Sequence, residues 1–228
     1  MAPYSLLFDP VDRLALDRVQ RIWASWTLRP FLDIEVENEQ RVEDLLKDTG
    51  RGCIVVSNHR STLDAFVLFA ALGIPLRFVS KKEIFFIPLV GWVMGLIGHV
   101  SLTRGDKRSG KSVLENCEYY LKNGHAWSVV FFAEGTRNKN EDESHLNEFK
   151  IGAFRLAEST GAPLVPVSIR GTSDAMPPGG EFSFLKHAAK VKVRVHEPVM
   201  VEGRQAEALK AECWNEISEG LKAKAGNQ

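Results

Sequence analysis

His59 and Asp64 stand five positions apart in the run VVSNHRSTLDAF (residues 55–66), and they are the residue pair here best suited to moving a proton. On a continuous helix, five steps of about 100° would leave them about 140° apart and unable to meet. The run passes, however, from an apolar strand-like segment beginning at Cys53 through polar residues into an apolar helix-like segment. With a helix starting near Ser61, His59 lies on the turn and Asp64 in the first helical turn, where the two side chains can touch. An aspartate so placed accepts the imidazole N–H and fixes the tautomer, leaving the other ring nitrogen as a general base for a hydroxyl group. Ser61-Thr62-Leu63-Asp64 also fits a capping box, in which serine and the acidic side chain satisfy free N–H groups at a helix start.

A second stretch, SVVFFAEGTRN at 128–138, repeats this architecture: an apolar strand running into a polar turn. Gly135 permits a tight turn, Thr136 brings a hydroxyl, and Arg137 a planar donor fork matched to phosphate. Glu134 can hold that arginine or take a substrate hydroxyl. Arg104, after the strand candidate His99–Thr103, supplies a second donor, so two arginines at strand ends outline an anion site beside a base. A rival is written in Gly105–Ser112, GDKRSGKS, which satisfies the phosphate-loop pattern G-x-x-x-x-G-K-[ST] between a strand and a helix candidate. Against a P-loop NTPase, no later apolar strand ends in a metal-holding aspartate; Val129–Glu134 ends in glutamate. No paired His/Cys spacing suggests zinc and no G-x-S-x-G suggests a serine hydrolase.

The elements that must position these residues are read from alternating apolar runs and helical periodicities. Strand candidates are Cys53–Ser57, Leu76–Ser80, His99–Thr103, Ser128–Ala133, Leu164–Ile169 and Val191–Val195; helix candidates are Asp64–Leu72, Ser112–Lys122, Gly152–Ser159 and Ala206–Lys222. The pattern predicts an α/β fold with a mixed, mainly parallel sheet flanked by helices. Residues 1–30 form a separate N-terminal segment and 31–228 the α/β domain. Within the first, Asp9–Arg29 carries Val11, Leu14, Ala15, Val19, Ile22, Trp23 and Trp26 at helical spacing among four arginines. That mixture suits a helix in the headgroup region of a bilayer, and equally one packed on its own domain. Residues 84–100, IFFIPLVGWVMGLIGHV, are the most apolar stretch; interrupted by Pro88 and three glycines and short of about 20 residues, they read as an apolar wall or a buried core segment rather than a span.

Lys+Arg 29 balance Asp+Glu 29 in a chain of 228 residues, so no overall basic field points to nucleic acid and any anion site must be local. Three dispersed cysteines, Cys53, Cys117 and Cys213, predict a reducing compartment rather than a disulfide framework, and Cys53 begins an apolar run where a small buried thiol fits. Asp9, Asp12 and Asp17 make the N-terminus unlike a secretory signal.

In order, NHRSTLD at 58–64, the KKEIFFIPLVGW region leading to Arg104, FFAEGTR at 131–137 and VPVSIRG at 165–171 resemble the four sequence blocks of the glycerolipid acyltransferases, most closely the 1-acylglycerol-3-phosphate acyltransferases. The resemblance spans roughly residues 50–200. It implies acyl transfer from acyl-CoA or acyl carrier protein to the hydroxyl of a lysophospholipid at a membrane surface, with no bound cofactor and no metal. By matching positions, His59 would deprotonate the acceptor and Asp64 orient it. Arg104 and Glu134–Arg137 would hold the glycerol phosphate, with Lys81 or Lys82 near the acyl-transfer site. Peripheral attachment to the cytoplasmic face of a membrane follows as an expectation. Acyltransferases for other lysophospholipids or for glycerol 3-phosphate share these features, and a catalytically silent lipid-binding module would keep the arginines without needing His59. Ala133 stands where a proline often precedes EGTR, an exchange expected to loosen the turn, and SLTR at 101–104 replaces a more acidic approach to the arginine.

Overall fold

The structure is a computed structural model that describes residues 14–86, 90–103, 107–122, 127–177 and 189–222. Its centre is a seven-stranded sheet of β1 (Leu32–Glu37), β2 (Ile54–Ser57), β3 (Leu76–Lys81), β4 (Val100–Leu102), β5 (Ser128–Phe132), β6 (Leu164–Arg170) and β7 (Ala189–Val195). The spatial order is β1-β7-β6-β2-β5-β3-β4, and neighbours run parallel except β6 and β7. The expected mixed, mainly parallel α/β architecture is therefore the one observed.

The helices are α1 (Leu14–Leu28), α2 (Gln40–Thr49), α3 (Leu63–Ala71), α4 (Val90–Ile97), α5 (Lys107–Lys122), α6 (Gly152–Thr160), the single turn α7 (Thr172–Ala175) and α8 (Ala206–Lys222), with a 3₁₀ turn at Lys82–Phe86. They cover the sheet on both faces, which explains why β2 is an unbroken apolar run rather than an alternating one. Successive strand residues point to opposite faces. Cys53 and Val55 therefore join the core shared with α1, α2 and α3, whereas Ile54 and Val56 join that shared with α5, α6 and α8. All three cysteines are buried free thiols, and burial pushes Cys53 up to about 11 and Cys117 and Cys213 to about 12.

α1 combines the two faces that the sequence left open. Leu16, Ala24 and Leu28 are buried and the helix packs on α3. Its Asp17 forms a buried ion pair with Arg77 of β3 at 2.6 Å, and the Arg77 guanidinium lies 5.3 Å over the Trp127 ring. Ile22 and Trp26 remain 61% and 76% exposed, while Trp23 leans on Phe66 at 5.8 Å between centroids. Asp9, Val11 and the other residues before Leu14 lie outside the described residues. Within the apolar stretch 84–100 the described residues form the end of a 3₁₀ turn, α4 and the start of β4. Phe86 and Trp92 are exposed on it and Ile97 is buried.

Among the described residues no helix is long and apolar enough to cross a membrane.

Candidate active site

Parallel pairing of β2 with β5 aligns Ser57 with Phe132, so the chain leaves both strands side by side at the same edge of the sheet. That edge, beyond the carboxyl ends of parallel strands, is where such sheets bind ligands. The two polar turns consequently meet. Asn138 donates its backbone N–H to His59 O at 2.7 Å, and Glu134 Oε1 accepts the His59 N–H at 2.9 Å. Ala133 donates to Ser57 O at 3.0 Å, a bond a proline could not make, so the departure from the family pattern ties the turn down instead of loosening it.

His59 Nδ1 lies 2.8 Å from Asp64 Oδ2, with α3 beginning at Leu63. The same oxygen accepts the backbone N–H groups of Arg60 at 2.7 Å and Ser61 at 2.8 Å, and Thr172 Oγ1 donates to the other oxygen at 2.6 Å. One carboxylate thus caps the turn and holds the histidine, and the cap and the His/Asp pair are a single arrangement. Because a carboxylate only accepts, Nδ1 must be the protonated nitrogen, which leaves the lone pair on Nε2. The ring stacks on Phe132 at 4.0 Å between centroids, and 17% of the side chain remains exposed. This is a histidine fixed in tautomer and orientation with an edge open to solvent, able to take a proton from a hydroxyl.

Glu134 is buried with its carboxylate turned inward. Besides His59 N–H it takes Asn138 Nδ2 at 3.0 Å and Asn147 N–H at 3.1 Å, both on Oε2, so it clasps the two turns to the following loop. Gly135 has φ 70°, the left-handed region glycine adopts without strain, and a Cβ there would press on the Lys150 side chain. Beyond it Thr136 is exposed, and Arg137 reaches across to donate to Thr62 Oγ1 at 2.8 Å. Lys81 and Lys82 are exposed at the end of β3, two strands from β2 and so about 10 Å away at the backbone. Lys81 is in register with Leu102 of β4. Arg104 itself, like Gly105 of the phosphate-loop pattern, lies outside the described residues. The remainder of that pattern is helical from Lys107 on, and Lys111 sits exposed, 3.6 Å from Glu115 one turn along. A helix there leaves no room for a loop whose N–H groups could cradle phosphates.

Several supporting residues escape a reading by spacing. Asn58 exchanges two bonds with the Ile169 backbone, at 2.9 and 2.8 Å, tying the first turn to β6. Thr172 reaches Asp64 from 108 residues away. Arg60 donates to the carbonyls of Asn140 and Asp142, and Glu143 accepts the N–H of Gly171 at 2.9 Å. The only sequence signal for these was adjacency: Asn58 precedes His59, and Thr172 follows the fourth block.

With this geometry in place the comparisons with known proteins are specific. The family model described as Acyltransferase matches residues 33–170, a span from the second residue of β1 to the end of β6 that holds both turns, and the chain belongs to that family. A chloroplastic 1-acyl-sn-glycerol-3-phosphate acyltransferase of Arabidopsis thaliana is 39% identical over 219 residues, 96% of this chain and 58% of the relative. A 1-acyl-sn-glycerol-3-phosphate acyltransferase of Pseudomonas aeruginosa is 27% identical over 198 residues, 84% of this chain and 72% of the relative. The crystal structure of the 1-acyl-sn-glycerophosphate acyltransferase of Thermotoga maritima superposes with a TM-score of 0.72 at 28% identity, covering 94% of this chain and 80% of that one. The chain spans about three-fifths of the length of the plant relatives it matches, 58% and 60%.

Proposed function

We propose that this chain transfers a fatty acyl group from acyl-CoA or acyl carrier protein to the free hydroxyl of a 1-acylglycerol 3-phosphate, giving phosphatidic acid for phospholipid synthesis. The observation that carries the reading is the His59 Nδ1–Asp64 Oδ2 bond, set at a strand end against the turn that bears Arg137. The names of the relatives support the choice of acceptor.

The chemistry needs little more than these groups. His59 Nε2 takes the proton of the acceptor hydroxyl as its oxygen attacks the thioester carbonyl carbon. The C=O π pair moves onto oxygen, giving a tetrahedral oxyanion. Collapse re-forms the carbonyl, breaks the C–S bond and expels a thiolate, which takes the proton back from the His59 imidazolium. Asp64 keeps the ring oriented and its positive charge compensated throughout. A thioester is already activated, so alignment and proton transfer suffice and no acyl-enzyme is formed. Arg137, with Arg104, holds the acceptor phosphate; Gly135 and Thr136 shape its turn; Glu134 fixes that turn to His59; Lys81 and Lys82 meet the acidic parts of the donor.

The acceptor lives in a bilayer, and its chain is worth about 0.8 kcal/mol per buried CH₂, so the enzyme goes to the lipid. Exposed Ile22 and Trp26 on α1 form the surface that dips into the headgroup region on the cytoplasmic side, with Trp23 beside them. Incubating the purified chain and labelled acyl-CoA with lysophosphatidic acid, other lysophospholipids and glycerol 3-phosphate tests the proposal. Labelled phosphatidic acid from the first is expected; product only from another acceptor, or none, overturns it.

A further inference from the structure

Behind α1 lies a cavity of about 610 Å³ that the acyl-transfer chemistry does not use. It opens at the carboxyl end of α3, whereas Asp64 sits in the first turn of that helix. Nine residues at 1.5 Å rise separate the two ends by about 13 Å. One wall is a stripe of Arg18, Arg21 and Arg29, which at about 100° per residue fall within about 80° of helix circumference. Glu39 and Glu43, flanking the start of α2, line it as well. Among the described residues none of the three arginines forms an ion pair, although two carboxylates share the cavity with them. Gly73 is the floor, where a Cβ would run into the Glu43 carboxylate and approach the Arg21 guanidinium at 3.8 Å.

Three unpaired guanidiniums along one wall repel one another until an oxyanion with several acceptor oxygens enters. Two carboxylates in the same cavity work against a doubly charged phosphate. They favour a singly charged phosphodiester that carries hydrogen-bond donors and positive charge on its far side. The lip of the cavity is apolar, since Ile22 and Trp26 also line it and are largely exposed. A ligand with a chain continuing from the phosphate would lay it there. We propose that this cavity binds the headgroup of a membrane phospholipid, a phosphodiester bearing a free ammonium, with phosphate on the arginines and ammonium on Glu39 and Glu43. This is a second lipid site, separate from the acceptor site, and it rests on the membrane-surface part of the proposed function.

The test is calorimetric titration of the full chain, without acyl donor, with dihexanoyl phosphatidylethanolamine below its micelle concentration. Dihexanoyl phosphatidylcholine and inorganic phosphate serve as comparisons. The ethanolamine lipid should bind at least about tenfold more tightly than either. Arg18→Gln/Arg29→Gln, exposed on α1 and just past its end and harmless to folding, should weaken it about tenfold or more, and Lys47→Gln/Lys222→Gln, the same charge change elsewhere, should leave it alone. Equal affinity for the choline lipid overturns the ammonium assignment. Phosphate binding as tightly as the lipid shows an anion site and overturns the lipid assignment, and an unchanged arginine variant overturns the site itself. None of these readouts depends on whether His59 acts as a base, so acyl transfer and this site fail separately.

Discussion

Replacing Asp64 by asparagine and by alanine should separate the two duties of its carboxylate. In the alanine variant the buried N–H groups of Arg60 and Ser61 and the hydroxyl of Thr172 lose their acceptor, and His59 loses its anchor. Each buried group left unsatisfied costs about 1–3 kcal/mol, so the total for the three is about 3–9 kcal/mol. At about 2–4 °C per kcal/mol for a chain of this size, the melting temperature should fall by about 6 °C or more. Asparagine has only one placement that works. Its oxygen must stay where Oδ2 is, facing three N–H donors, with its NH₂ toward the Thr172 hydroxyl, which can turn to accept. The tautomer of His59 therefore survives, and what is lost is the charge, about 1 kcal/mol for each of the three bonds. Thermal melting by circular dichroism and thiol release from acyl-CoA are the two assays. Asp64→Asn should melt between wild type and Asp64→Ala and lose about 10²-fold in kcat, as the imidazolium goes uncompensated, whereas Asp64→Ala should lose about 10³-fold or more. An alanine variant that melted within about 2 °C of wild type, or turned over normally, would refute this account of the carboxylate.

Glu134→Gln must point an NH₂ at one of the donors now facing Glu134, so it should lower the melting temperature by about 4–10 °C; Arg137→Ala should leave melting nearly unchanged and raise the KM for a phosphate-bearing acceptor more than that for the donor. His99 accepts the Phe78 N–H on Nδ1, and burial, then the charge of Arg77, holds it down to about 3; its Nε2 lies 3.3 Å from Gln20 Nε2. Between that value and the ordinary 6.5 the unfolded chain binds the extra proton, so this term is flat above pH 6.5 and stability falls as pH drops toward 3, by about 2 kcal/mol at pH 5 in urea titrations; no loss between pH 7 and 5 would contradict it. Trp26→Ser should weaken sedimentation with anionic vesicles at an unchanged melting temperature, because Trp26 is 76% exposed. Trp23→Ser should also cost stability through its contact with Phe66; a stability loss for Trp26 alone would make that face core.

Legibility followed sequence distance. The six strand candidates and four helix candidates sit on observed elements because buried strands and amphipathic helices write their periods into short windows. β1 and α2 went unread, because LDIEVE alternates with charges on an edge strand and QRVEDLLKDT follows it with scarcely a break. The meeting of His59 with Asp64 was legible as a turn-to-helix handover, but not that the same oxygen would cap the turn. Glu134 looked like a free partner for Arg137 or a substrate. It is an internal clasp, since only the β2–β5 register brings the His59 backbone within its reach. Ion pairs such as Asp17–Arg77, 60 residues apart, leave no trace in local spacing.

The central claim is that His59, held by Asp64, removes the proton of a lipid hydroxyl. The most direct measurement is single-turnover transfer from labelled acyl-CoA to lysophosphatidic acid by wild type and His59→Ala, with melting temperature and acceptor binding recorded on the same preparations. The account predicts that His59→Ala folds and binds acceptor while transfer slows by the 10²–10⁴ typical of a lost general base. Transfer by His59→Ala at the wild-type rate would contradict it.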